Sequence, residues 1–174
     1  LNFRSYLILE KKLLNNSKIA INFHPSTPKY RGVGGANYAI INKDKKFGST
    51  AHLIDNKIDH GRIIDVKKFT INKNIKIQNL LRITHANMLE QAMKLINDLF
   101  LNEEKFLKKI KINHKKWSKK YGNLKKLNYF YNFKINFNKL FFKRYLDATV
   151  IGKFNPTLEI NGFKFKMVNQ KKTI

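Results

Sequence analysis

The apolar run Ile19-Ala20-Ile21 continues through Asn22-Phe23 and stops at His24-Pro25-Ser26-Thr27-Pro28. Proline fixes φ and removes a backbone donor, so this pair of prolines forbids regular helix after His24. Lys18 to Phe23 therefore reads as a short buried strand of a parallel sheet that runs into a rigid, irregular loop. In open α/β sheets the ligand crevice lies beyond the carboxyl ends of the strands. Asn22 and His24 sit at such an end, two residues apart, so their side chains share one face.

The rest of the chain fits the same class. Phe3 to Ile8 reads as the end of a strand or a loop, and Leu9 to Leu14 as a short helix. Ala36 to Ile41 has helical character after Gly32, Gly34 and Gly35, while Phe47 to Ile54 and Arg62 to Thr70 alternate like strands. Ile75 to Phe100 carries Ile77, Leu80, Leu81, Met88, Leu89, Ala92, Leu95, Ile96 and Leu99 at helical spacing. Asn161-Gly162 between two short apolar-rich runs signals a two-residue hairpin, because both turn positions need positive φ. The order strand, helix, strand, helix, strands predicts an α/β fold. Three regions follow: a core over 1–100, a basic helical segment over 101–146 and a C-terminal β-hairpin tail over 147–174. A sheet starting with one crossover helix leaves an exposed edge, so further strands are expected before Leu1.

A length of 174 residues suffices for one domain with a real core, or one plus an appendage. The absence of cysteine excludes disulfide frameworks, cysteine zinc sites and cysteine nucleophiles together. No His/Asp/Glu group has convincing metal spacing, so no metal is expected. No apolar stretch approaches the ~18 residues of a spanning helix, so no membrane partner is expected. The net charge is +25 and the cations are almost all Lys. An anionic partner is one explanation; a genome rich in A/T codons, which encode Lys, Asn and Ile, is the other.

Three polar residues carry the chemistry. An amide donor and an imidazole at one strand end can meet a single developing oxyanion. Asp59, in the connection Asp55-Asn56-Lys57-Ile58-Asp59-His60-Gly61, can reach back to orient the imidazole and favour its charged form. That set suits acyl transfer without a covalent enzyme intermediate. Each member has a plainer explanation: a lone strand-end histidine is more often structural, Asn22 alone is a common turn residue, and Asp59 near Gly61 is more often a turn acid. His52, in a strand, is expected to be packed and hydrogen-bonded rather than reactive. The ordered set is far less common by chance than any member.

Asn22-Phe23-His24-Pro25-Ser26, Pro28, Gly48-x-Thr50-x-His52 and Asp59-x-Gly61-x-Ile63 resemble the formyltransferase family that uses 10-formyltetrahydrofolate. The resemblance covers roughly residues 3 to 100. It implies a partial Rossmann-like formyltransferase sheet with flanking helices, lacking the family's first strands. The family's catalytic Asn, His and Asp fall on Asn22, His24 and Asp59. Its folate-pocket loop falls on Arg4, Ser5 and Tyr6, and its pteridine loop on Asp55, Asn56, Lys57 and Ile58. The implied reaction is direct formyl transfer from 10-formyltetrahydrofolate to a primary amine in a cytoplasmic enzyme. Asn22 and a protonated His24 would stabilise the oxyanion, with Asp59 holding His24 charged. Thr27-Pro28 departs from the family, which usually has Leu-Leu or Leu-Pro after the serine.

The implied acceptor is a nucleotide-linked amino sugar, because Ala148 to Phe165 resembles the tail of formyltransferase-like proteins of surface-polysaccharide synthesis. The alternatives are methionyl-tRNA or glycinamide ribonucleotide formylation, and, in a different class, a non-catalytic basic RNA-binding module. Lys105 to Leu146 contains no acid and interleaves Trp117, Tyr121, Tyr129 and Phe130 with lysines, a composition that suits RNA. A packed helical segment whose solvent face is lysine is the preferred explanation. One arginine, Arg144, is too little for bidentate phosphate recognition, so no specific nucleic-acid site is expected.

Overall fold

The structure is a computed structural model, and it describes residues 2–3, 11–112, 114–129, 131–133, 138–152 and 154–167. The chain runs β1 (Asn2–Phe3), α1 (Lys11–Asn15), β2 (Ile21–His24), β3 (Arg31–Gly32), α2 (Gly35–Ile41), β4 (Lys46–Leu53) and β5 (Ile63–Thr70). It continues through α3 (Ile77–Leu101), α4 (Glu103–Ile112), β6 (Tyr121–Gly122), α5 (Leu124–Tyr129), β7 (Asn132–Phe133) and α6 (Lys139–Thr149). It ends with β8 (Thr157–Ile160) and β9 (Phe163–Lys166). The fold is α/β, as the alternation of elements implied.

The main sheet has the order β1-β2-β4-β5. β1 and β2 are parallel, but β2 pairs antiparallel with β4, and β4 antiparallel with β5. The sheet is therefore mixed where the sequence suggested a parallel one; alternation of side chains is the same in both directions, so the sequence does not encode the difference. The strand expected over Lys18 to Phe23 is displaced to Ile21–His24, its amino end stitched by the Ile54 amide donating to the Ala20 carbonyl over 2.9 Å.

One face of the sheet is covered by α3. Its apolar residues recur every three or four positions, and Leu80, Met88, Ala92 and Leu95 are buried. Met88, Ala92 and Leu95 pack with Ile21 and Phe23 of β2, Ala51 of β4, Ile64 of β5, and Phe106 and Ile110 of α4. A second cluster joins Ala36, Ala39 and Ile40 of α2 to Phe47 of β4, Leu80 of α3 and Ala148 of α6. Asn37 Nδ2 donates to the Ala148 carbonyl over 2.6 Å, both residues being buried. The C-terminal part is thus keyed into the core, and α6 runs through position 147 instead of ending at 146. β8 and β9 form the expected hairpin, with Asn161 and Gly162 at φ 49° and 80°.

Two residues of β3 pair in parallel with two of β6, Arg31 with Tyr121 and Gly32 with Gly122. This small bridge returns the chain after α4 across the open face of the main sheet. Among the described residues no helix is long and apolar enough to cross a membrane.

Candidate active site

β2 delivers Asn22 and His24 to the face opposite α3. β4 runs beside it in antiparallel register, with Asn22 opposite His52 and His24 opposite Thr50. The β4–β5 connection then brings Asp59 back over the same end. Gly61 is required in that connection, since a Cβ there would stand 1.9 Å from the Leu53 carbonyl oxygen. Asp59 itself sits at φ 46°, a left-handed conformation that short polar side chains tolerate best.

Asp59 lies between two imidazoles. Its Oδ2 is 3.3 Å from Nδ1 of His24 and its Oδ1 3.5 Å from Nε2 of His52. The Gly32 amide donates to Oδ2 over 3.1 Å. Asn22 Nδ2 lies 3.0 Å from Nε2 of His52, whose Nδ1 faces the Leu53 carbonyl at 2.7 Å. His52 Nδ1–H thus donates to Leu53, and Nε2 accepts from Asn22 in the neutral ring. His24 Nε2 donates to the Tyr30 carbonyl at 2.9 Å. His24, His52 and Asp59 are 5%, 2% and 8% exposed, so these contacts operate largely out of water.

Burial lowers the pKa of His24, and the attraction of Asp59 and the Tyr30 carbonyl does not offset it. The ring therefore rests neutral near pH 7, against the expectation of a protonated His24. Burial would raise the Asp59 carboxyl, but His52, His24 and the Gly32 amide together hold it below its ordinary value. Asp59 is thus ionised beside a neutral His24, and it stabilises positive charge when that ring takes up a proton.

Of the other residues singled out in the sequence, Arg4, Ser5 and Tyr6 lie outside the described residues. Asp55 to Ile58 form the loop before Asp59. Asp55 Oδ2 pairs with His60 Nδ1 at 2.6 Å and its Oδ1 accepts from the Lys57 amide. Burial opposes ionisation of Asp55, but His60 and the Lys57 amide outweigh it and lower its pKa. Ile58 is exposed, and its carbonyl accepts from Arg31 Nη2 at 3.1 Å. Among the described residues no group of three or more His, Cys, Asp or Glu side chains is placed to hold a metal ion.

His52, expected to be packed and hydrogen-bonded, is both, and its Nε2 stands between Asn22 and Asp59. In the sequence Trp117 stands as one of several aromatics in the basic segment. Its indole instead meets the edges of both imidazoles, with centroid separations of 5.7 Å to His24 and 5.0 Å to His52. A lone tryptophan in a stretch without helical periodicity is the one hint the sequence offers. A cavity of about 710 Å³ lies beside the loop after His24, lined by Thr27, Pro28, six lysines including Lys45, Lys68 and Lys116, and Asp44, which pairs with Lys29 at 2.7 Å.

The family model described as formyl transferase matches residues 5–95, more than half of the 174 residues. A methionyl-tRNA formyltransferase of Finegoldia magna is 30% identical over 101 residues, 57% of this chain and 31% of its own length. A 4-N formyltransferase from Francisella tularensis aligns at a TM-score of 0.76 over 99% of this chain and 70% of its own, at 21% identity, a likeness of fold. An N-formyltransferase from Helicobacter canadensis, solved with folinic acid and dTDP-3-aminofucose, aligns at a TM-score of 0.62 over 84% of this chain and 53% of its own, at 27% identity. The chain spans under a third of the length of the curated relatives it matches first. The match of that model across β2, β4, β5 and most of α3 settles kinship: the chain belongs to the formyl transferase family.

Proposed function

We propose that this chain carries the centre for formyl transfer from 10-formyltetrahydrofolate to the primary amine of a nucleotide-linked amino sugar, with Asn22, His24 and Asp59 as its catalytic residues. The observation that carries this reading is the Asp59 carboxylate held between His24 and His52, with Asn22 on the same strand end. The donor set suits the folate: an amide and an imidazole stand beside a loop, Asp55 to Ile58, that offers backbone groups and the exposed Ile58 side chain. Arg4, Ser5 and Tyr6 are proposed as further folate contacts on their resemblance to the family's folate loop.

10-Formyltetrahydrofolate, when bound, supplies an activated formyl carbon. Asn22 has a second amide hydrogen beyond the one given to His52, free to meet an oxygen gaining negative charge. His24, neutral at rest, takes up a proton at Nδ1, and Asp59 Oδ2, 3.3 Å away, stabilises the imidazolium that forms. Burial by the surrounding loops strengthens both effects.

The amino-sugar acceptor is supported by the Helicobacter canadensis enzyme, whose complex holds a dTDP-linked amino sugar. The lysine-lined cavity beside Pro28 suits the phosphates of such a molecule. The second reading, methionyl-tRNA formylation, is favoured by the 30% identity to the Finegoldia magna enzyme. The test is incubation with 10-formyltetrahydrofolate and either a dTDP-linked amino sugar or methionyl-tRNA. Formylated sugar, lost in His24→Ala, is expected; formylated methionyl-tRNA in its place establishes the second reading, and neither product overturns both.

A further inference from the structure

Trp117 belongs to the segment after α4, outside the matched residues 5–95. That segment is fastened to both loops that carry the acid–base groups. The Ser118 amide donates to the Pro28 carbonyl over 2.9 Å, four residues after His24. Trp117 Nε1–H donates to the Gly61 carbonyl over 2.8 Å, two residues after Asp59. Val33 N–H donates to the Gly122 carbonyl over 2.9 Å, and Arg31 lies over the Tyr121 ring at 5.4 Å. The indole meets His24 at 68° and His52 at 86°, edge-on in both cases, the arrangement that the ring quadrupoles favour.

We propose that Trp117 is a positioning residue for the paired imidazoles: it walls His24 and His52 from solvent and, through Gly61, fixes the Asp59 loop against them. This rests on reading the cluster as the reaction centre. Its consequence is electrostatic. An imidazole covered by an indole loses hydration of its charged form, so removing the cover raises its pKa. The groups facing His24 are Asp59, His52 and the Tyr30 carbonyl. Those facing His52 are Asp59, Asn22 and the Leu53 carbonyl. Lys115 and Lys116 precede the indole in sequence, and Arg31 holds the loop at Ile58. The Gly32 amide still holds the Asp59 carboxylate when Trp117 is replaced, so loss of the cover and the remaining pull of Asp59 both act upward.

Trp117 is the sole tryptophan of the chain, so its fluorescence reads this site alone. An imidazolium in ring contact quenches indole emission. On acidification the wild-type emission is expected to fall in a step centred below about 6.5, the ordinary histidine value, and that step is expected to shrink in His24→Gln, which leaves only the His52 ring against the indole. By NMR, Trp117→Ala is expected to move the His24 midpoint up toward about 6.5, while Trp117→Phe, which keeps a ring over the imidazoles, restores most of the depression. Emission indifferent to His24 protonation, or an alanine variant with an unmoved His24 midpoint, overturns the proposal. Should Trp117→Ala fail to fold, the wild-type emission and the phenylalanine variant decide it. Neither readout requires turnover: a chain that titrates as expected yet transfers no formyl group keeps this assignment and sinks the formyl-transfer reading.

Discussion

Asp59 Oδ2 stands 3.3 Å from Nδ1 of His24, although about 35 residues separate them in the chain. The carboxylate raises the pKa of His24 while burial lowers it, and burial is the larger effect. Asp59→Asn keeps the shape and deletes the charge. The His24 midpoint is then expected to fall further below its wild-type value, measured by NMR titration, and formyl transfer to fall with it. A midpoint that rises in this variant contradicts the assigned pairing.

In the proposed mechanism Asn22 is the amide donor. Removing one donor aimed at a developing oxyanion costs ~10²–10³ in rate. Asn22→Ala is expected to lose about that factor in kcat with the acceptor KM little changed. Equal rates for variant and wild type would remove Asn22 from the mechanism.

Stability should fall with acid in two stages. His24 has a lowered pKa in the folded chain, so between that value and about 6.5 the unfolded chain binds more protons. Stability therefore rises with pH through that window and is lost as pH falls through it. Asp59 is also lowered; its contribution is present above about 3.9 and disappears as pH falls through the folded value. Urea unfolding between pH 4 and 8 should show the first stage, and His24→Gln should abolish it. An unchanged first stage in that variant would assign it to another group.

Gly32 joins the site to the β3–β6 bridge. It lies at φ +81°, and a Cβ there would stand 2.2 Å from the Gly122 carbonyl oxygen. Its amide donates to Asp59. Gly32→Ala is expected to destabilise the chain by about 1–3 kcal/mol, the usual cost of a strained backbone position, and to weaken the hold on Asp59. Wild-type stability in urea would show that the bridge opens freely.

The sequence made some of this legible and not the rest. α3 announces itself because Leu80, Met88, Ala92 and Leu95 recur at helical spacing. The hairpin does so because Asn161-Gly162 meets a stereochemical demand few other pairs meet. Asn22 and His24 are legible because alternation along one strand fixes their shared face. The β3–β6 bridge is not, since two paired residues carry no periodicity and their partner lies about 90 positions away. The neutral state of His24 is not legible either. It depends on burial by loops, and local sequence does not encode how deeply a distant segment such as that of Trp117 will cover a ring. The direction of β4 against β2 escapes for the same reason that strand patterns carry no sign.

The most direct test is a crystal structure of the chain with folinic acid. The formyl oxygen is expected within about 3.2 Å of Asn22 Nδ2, with the pterin against Asp55 to Ile58. Folate seated instead in the cavity of about 440 Å³ lined by Leu14, Ile19, Leu53 and Leu107, away from His24 and Asp59, would contradict it.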